Sequence, residues 1–129
     1  MSSGHEKQYH GALGESIAVR YLQQLGYKIL DRNYAISGFG EIDIIAHLKG
    51  VIYFIEVKSS GKYQIGDENH SGTHFDHRKK ERTLLMMRKY CYIHNISLPR
   101  SVGLLLVSFS RETKEASVSF DPHVFFDSI

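Results

Sequence analysis

GEIDIIAHLKGVIYFIEVK, residues 40–58, decides the fold. Two runs rich in Ile, Val, Tyr and Phe, Glu41 to His47 and Val51 to Lys58, flank Lys49-Gly50 and predict two strands of a hairpin. Gly tolerates the positive φ that a two-residue turn demands. With those two residues as the loop, Leu48 faces Val51, Asp43 faces Glu56 and Glu41 faces Lys58. Strand alternation puts Glu41 and Asp43 on one face, and likewise Glu56 and Lys58. Directly paired residues have Cβ atoms roughly 4.5–5.5 Å apart, so three carboxylates and a lysine converge on one patch.

Opposed like charges destabilise a strand pair unless something compensates them. A divalent cation does so, and oxygen-only ligands (Asp43, Glu56 and Glu41) select Mg²⁺ or Mn²⁺ over zinc. Such an ion binds a phosphodiester, acidifies a bound water and neutralises transition-state charge. Lys58 adds a second positive group that can orient the water or stabilise the oxyanion. The bare pattern also fits a solvated hairpin with a Glu41–Lys58 surface ion pair. The apolar flanks Ile42, Ile44, Ile55 and Val57 favour a central hairpin instead.

Working outward, Leu13, Ile17, Ala18, Tyr21, Leu22 and Leu25 have helical spacing and predict a helix from about His10 to Leu25, stopped by Gly26. Tyr27 to Ala35 reads as a strand, and Ser37, Gly38 and Gly40 mark a turn. Ser59 to Thr73 reads as a loop. A second helix is predicted from about Phe75 to His94. Val102 to Ser108, almost wholly apolar, fits a strand buried on both faces. Ser117 to Phe120 reads as a short last strand, with Pro122 opening a turn or short helix. The expected fold is α/β, in the order α-β-β-β-α-β-β, a mixed sheet flanked by helices in one domain.

The length of 129 residues suits one domain, and 42% hydrophobic with 23% charged residues is an ordinary globular balance. No apolar run approaches a membrane span, and the polar stretch Met1 to His10 lacks a secretory core. A single cysteine, Cys91, excludes an internal disulfide framework and any multi-Cys zinc site. These features suit a cytoplasmic protein without a membrane partner. A net charge of +2 does not by itself indicate nucleic acid. The local cluster Arg78, Lys79, Lys80, Arg82, Arg88 and Lys89, against the one acid Glu81, says more.

Gly40-Glu41-Ile42-Asp43-Ile44-Ile45-Ala46 followed by Phe54-Ile55-Glu56-Val57-Lys58 resembles the bacterial YraN family. Gly11-Ala12-Leu13-Gly14-Glu15 and Gly26 to Asn33 match its pattern too, and the similarity continues through Lys80 into the later strands. That family is placed in the PD-(D/E)xK nuclease superfamily and resembles archaeal Holliday junction resolvases. The resemblance implies a restriction-endonuclease-like sheet, metal ligation by Asp43 and Glu56, catalysis by Lys58 and a contribution from Glu15. Ile42 stands where the motif has proline, and Ser60 replaces an arginine often found two residues past the lysine.

Gly11 and Gly14, on the first helix beside Glu15, permit close approach to the sheet. On the second helix Leu84, Met87 and Cys91 form an inward stripe, and Lys80 extends it by one turn toward the site, or else snorkels to water. Arg78, Arg82 and Lys89 form an outward stripe that either follows a phosphate backbone or is simply solvated. His70, His74 and His77 have the spacing of a weak transition-metal motif, with DNA contact the preferred reading. Cys91 reads as a buried structural residue. The leading expectation is a metal-dependent DNA endonuclease, with a non-catalytic DNA-binding accessory protein as the alternative and a protein-interaction scaffold third. Val118, Phe120, Val124, Phe125, Phe126 and Ile129 could pair two copies as a homodimer or close the monomer's own core.

Overall fold

Lys49 and Gly50 turn the central hairpin with left-handed φ values of 48° and 79°. That pair of positive angles is what a type I′ connection requires, and it matches the twist of the strands it joins. The computed structural model describes residues 3–60, 77–110 and 112–128. Its elements are α1 (Ser3–Gln24), β1 (Lys28–Ile36), β2 (Gly40–Leu48), β3 (Val51–Ser60), α2 (His77–Ile93), β4 (Arg100–Phe109) and β5 (Ala116–Asp127). The expected element order is thus the observed one.

The strands form one mixed sheet in the order β1-β2-β3-β4-β5. Among the described strands only β3 and β4 run parallel, joined by the crossover through α2. The other neighbours are antiparallel. One core cluster joins Ala18 and Leu22 of α1 to Ile44, Ala46, Tyr53, Ile55, Leu105 and Val107. A second joins Met86, Met87, Tyr90 and Cys91 of α2 to Ile42, Ile45, Ile52, Phe54 and Val102. A three-layer α/β/α arrangement follows. Because β4 is covered by a cluster on each side, it is apolar almost throughout. No helix among the described residues is long and apolar enough to cross a membrane.

Gly26 closes α1 at φ 97°, with the Tyr27 amide donating to the Leu22 carbonyl and the Gly26 amide to that of Gln23. Those two bonds are the Schellman pattern, which satisfies carbonyls the helix leaves over. The helix begins seven residues earlier than its apolar spacing predicts, at Ser3. Its buried stripe is Gly14, Ala18 and Leu22, at four-residue spacing, whereas Leu13 and Leu25 are exposed.

The C-terminal end departs most from expectation. Pro122 opens neither a turn nor a helix but lies inside the twelve-residue β5. It sits at an irregularity between Val102 and Leu104 of the pairing. Proline is tolerated there because β5 is an edge strand and a bulge needs no amide at that point. A Cβ on the facing Gly103 would lie 3.1 Å from the Asp121 carbonyl oxygen. The Ser101 hydroxyl lies 2.6 Å from the Pro122 carbonyl, 3.1 Å from that of Phe125 and 3.0 Å from His123 Nδ1. Val118, Phe120 and Phe125 pack on the monomer's own core. Phe126 remains 49% exposed.

Candidate active site

The β2–β3 ladder runs from Leu48↔Val51 to Ile44↔Ile55 and ends there. The anticipated Asp43–Glu56 and Glu41–Lys58 pairs therefore do not form, although the hairpin register would put them opposite one another. The cause is visible in the core. Ile44 packs on the α1 side, yet Ile42, two residues away, packs on the α2 side. The two-residue period is broken at Asp43. On β1, between the pairs Arg32↔Ile44 and Tyr34↔Ile42, Asn33 takes a left-handed φ of 52°.

Where the ladder ends, the Asp43 side chain takes over its role. The Val57 amide donates to Asp43 Oδ2 at 2.8 Å. This tie spans the point where β2 leaves β3 and keeps the amide of a partly buried strand satisfied. Burial pushes the Asp43 carboxyl up to about 7, and the charge of Glu56 adds to the effect. The hydrogen bond from Val57 opposes both but does not outweigh them.

Glu56 and Lys58 alternate in step with Ile52 and Phe54, which face α2. From α2, Lys79 forms an ion pair and hydrogen bond with Glu56 Oε1. Lys58 Nζ stands 3.5 Å from the same oxygen. Burial lowers the Lys58 pKa, and the adjacent Lys79 ammonium lowers it further. Lys79 is held in its charged form by Glu56 against the cost of its own burial.

Glu15 comes from α1. One Cβ on Gly14 would lie 2.7 Å from Ser59 Cβ, so only glycine lets the helix approach β3 this closely. Glu15 Oε1 is buried without a hydrogen-bond partner, 3.9 Å from Arg32 Nη2. Burial raises its carboxyl most, Arg32 lowers it, and the charges of Glu41 and Glu56 raise it again. Glu41 itself is exposed and lines a cleft of about 360 Å³ with Gly40, Arg78, Lys79, Arg82 and Met86. It is thus at the margin of the patch rather than opposite Lys58.

Lys80 does not project toward the carboxylates. Its Nζ lies 5.5 Å from the centroid of Phe125 on β5. The buried face of α2 is wider than the stripe Leu84, Met87 and Cys91, because Met86 and Tyr90 are buried too. Lys79 and Lys80 both prolong that face, one on the side of the hairpin and one on the side of β5. The spacing from Met86 back to Lys79, i−7, is the signal that distinguishes them. Arg78 and Arg82 are exposed beside the cleft, and Lys89 lies over Phe39 at 4.8 Å. Cys91 is buried as expected, which raises its thiol pKa. The proposed cluster of His70, His74 and His77 falls outside the described side chains.

An all-oxygen donor set fits a hard divalent ion. Two features of the patch fit one as well: the buried oxygen of Glu15, only loosely paired with Arg32 at 3.9 Å, and the two ammonium groups gathered at one oxygen of Glu56. No group of three or more His, Cys, Asp or Glu among the described residues is spaced to hold an ion alone. Magnesium commonly takes one or two carboxylates and completes its shell with water and substrate phosphate. Asp43 and Glu56 are the pair that would hold it.

Comparison with known proteins finds several relatives, and the match to the first of them spans about half of that relative's length. One from Wolinella succinogenes, named as a UPF0102 protein, is 54% identical over 54 residues, 42% of this chain and 49% of its own length. Another from Myxococcus xanthus, of the same name, is 31% identical over 120 residues, 93% of this chain and 91% of its own. A third, from Persephonella marina, is 42% identical over 80 residues, 62% of this chain and 66% of its own. The family model described as "Uncharacterised protein family UPF0102" matches residues 14–121, from the glycine that admits α1 to the last strand, and the chain belongs to that family.

Proposed function

We propose that the chain is a Mg²⁺- or Mn²⁺-dependent endonuclease hydrolysing phosphodiester bonds in DNA, of the PD-(D/E)xK kind and related to junction resolvases. One observation carries the reading. At the point where β2 parts from β3, Asp43 and Glu56 share a partly buried patch with Lys58 and Lys79. Carboxylates and ammonium groups so placed suit a phosphate ester and the charge that develops on it. A bound divalent ion would supply Lewis acidity and a more acidic water. Val57 fixes the direction of Asp43 through its amide. Glu56 holds Lys58, whose lowered pKa makes its proton easier to share with water or a leaving oxygen. A homodimer would provide the second centre that symmetrical cutting of a junction requires.

The direct test is a panel of branched, flapped, single-stranded and duplex DNA incubated with Mg²⁺ or Mn²⁺. Cleavage of at least one substrate, abolished by EDTA, is expected. No cleavage of any would overturn the proposal. The two ammonium groups that already neutralise Glu56 favour a second reading, a DNA-binding accessory protein without turnover. In that case DNA binding persists and Asp43→Asn changes nothing.

DNA contact is expected along the cleft beside α2. Arg78→Gln together with Arg82→Gln should flatten the dependence of log affinity on log salt, each lost phosphate contact contributing about 0.9 to the slope. Lys89→Gln should change it less, because that ammonium is already engaged over Phe39. A slope equal to that of the unaltered protein would return both arginines to the solvated surface.

A further inference from the structure

Glu56 Oε1 carries two ammonium groups, Lys79 in direct ion pair and Lys58 at 3.5 Å. One carboxylate oxygen has few lone-pair sites, and two like charges converging on it repel. A divalent ion bound through either oxygen of Glu56 lies within a few ångström of both ammonium groups, and its repulsion of them favours the departure of one lysine. Lys58 shares β3 with Glu56, two residues along, whereas Lys79 reaches Glu56 Oε1 from a separate element, α2. Lys79 also lines the cleft beside Arg78 and Arg82, so an ammonium released from Glu56 has a place to meet a phosphate.

From this geometry we propose that Lys79 is a tethered counter-ion, occupying Glu56 until a divalent ion replaces it and then passing to a DNA phosphate. The inference rests on the nuclease reading above and adds a positioning residue to it. DNA draws Lys79 away from Glu56 and so favours the metal, while the metal frees Lys79 for DNA. The two binding events are then positively linked, and linkage is reciprocal by thermodynamic necessity.

The experiment measures Mn²⁺ affinity by the paramagnetic resonance of the free ion, with and without a phosphorothioate-protected oligonucleotide. It compares the unaltered protein with Lys79→Met, which keeps the apolar stem, and Lys79→Gln, which serves if the first variant fails to fold by circular dichroism. Without DNA both variants should bind Mn²⁺ roughly fivefold more tightly, the scale of a partly exposed ion pair. The oligonucleotide should tighten Mn²⁺ binding to the unaltered protein and much less so to the variants. Lys79→Arg, which restores the charge, should return the weaker affinity. A merely structural lysine would lower stability and leave the Mn²⁺ affinity without DNA unchanged. Equal or weaker Mn²⁺ binding by both variants, in a protein that still cuts DNA, overturns the inference alone. No Mn²⁺ binding and no cleavage by any form overturns the nuclease reading together with it.

Discussion

Replacing Asp43 by Asn should yield a protein that is inactive yet more stable at neutral pH. The activity loss is expected to be on the order of 10³-fold, the scale of removing one essential charged group from a catalytic centre. The stability gain follows from the raised carboxyl. Asp43 titrates near 3.8 when unperturbed and about 7 in the folded chain. Below about pH 3 it is protonated in both states and costs nothing. As pH rises toward 7, the unfolded chain ionises first while the folded one retains its proton, so stability falls. Above that the cost is complete. Asn removes it while its side-chain oxygen can still accept from the Val57 amide.

Thermal melts in EDTA should therefore show no advantage for Asp43→Asn below about pH 3 and a growing one from there toward pH 7. Discounted for partial exposure, the plateau is about 2 kcal/mol, or roughly 7 °C. Added Mn²⁺ should stabilise the unaltered protein and not the variant. A variant less stable than its parent at pH 8 would mean that Asp43 serves the fold through its bond to Val57 more than it burdens it.

The hairpin was legible because its turn and its apolar runs are local. Lys49-Gly50 sets the register, and register alone aligns Asp43 with Glu56. What the turn cannot foretell is where pairing stops. That depends on the neighbouring β1, whose left-handed Asn33 accompanies the change of face at Asp43. The same limit applies to α2. Its period predicts a helix, but choosing Lys79 over Lys80 depends on how the helix is rotated on the sheet, and that is fixed by Met86 and Tyr90 packing against Ile45 and Phe54. The full length of β5 is hidden from sequence for a different reason. Pro122 is a stop signal in a central strand but not at an edge bulge opposite a glycine. Glu15 enters the candidate site only through the family resemblance. Nothing in its helical spacing distinguishes it from a solvated carboxylate.

Lys58→Ala should separate catalysis from ion binding. Lys58 touches Glu56 Oε1 but is not a ligand itself, and its removal withdraws a positive charge from beside the proposed ion. Mn²⁺ affinity should therefore hold or rise slightly, while cleavage falls on the order of 10³-fold. Lys79 complicates the outcome usefully. Its ammonium already lies at the same oxygen, so it can cover part of the missing charge without reproducing the position of Lys58 on β3. The double variant Lys58→Ala, Lys79→Met should then lose more activity than Lys58→Ala alone, and bind Mn²⁺ at least as tightly as either single variant. Residues that act as a unit are rarely additive, so the size of the shortfall measures how far one lysine stands in for the other. If Lys58→Ala weakens Mn²⁺ binding as much as Asp43→Asn does, Lys58 supports the carboxylates rather than the reaction. The catalytic charge would then have to come from α2.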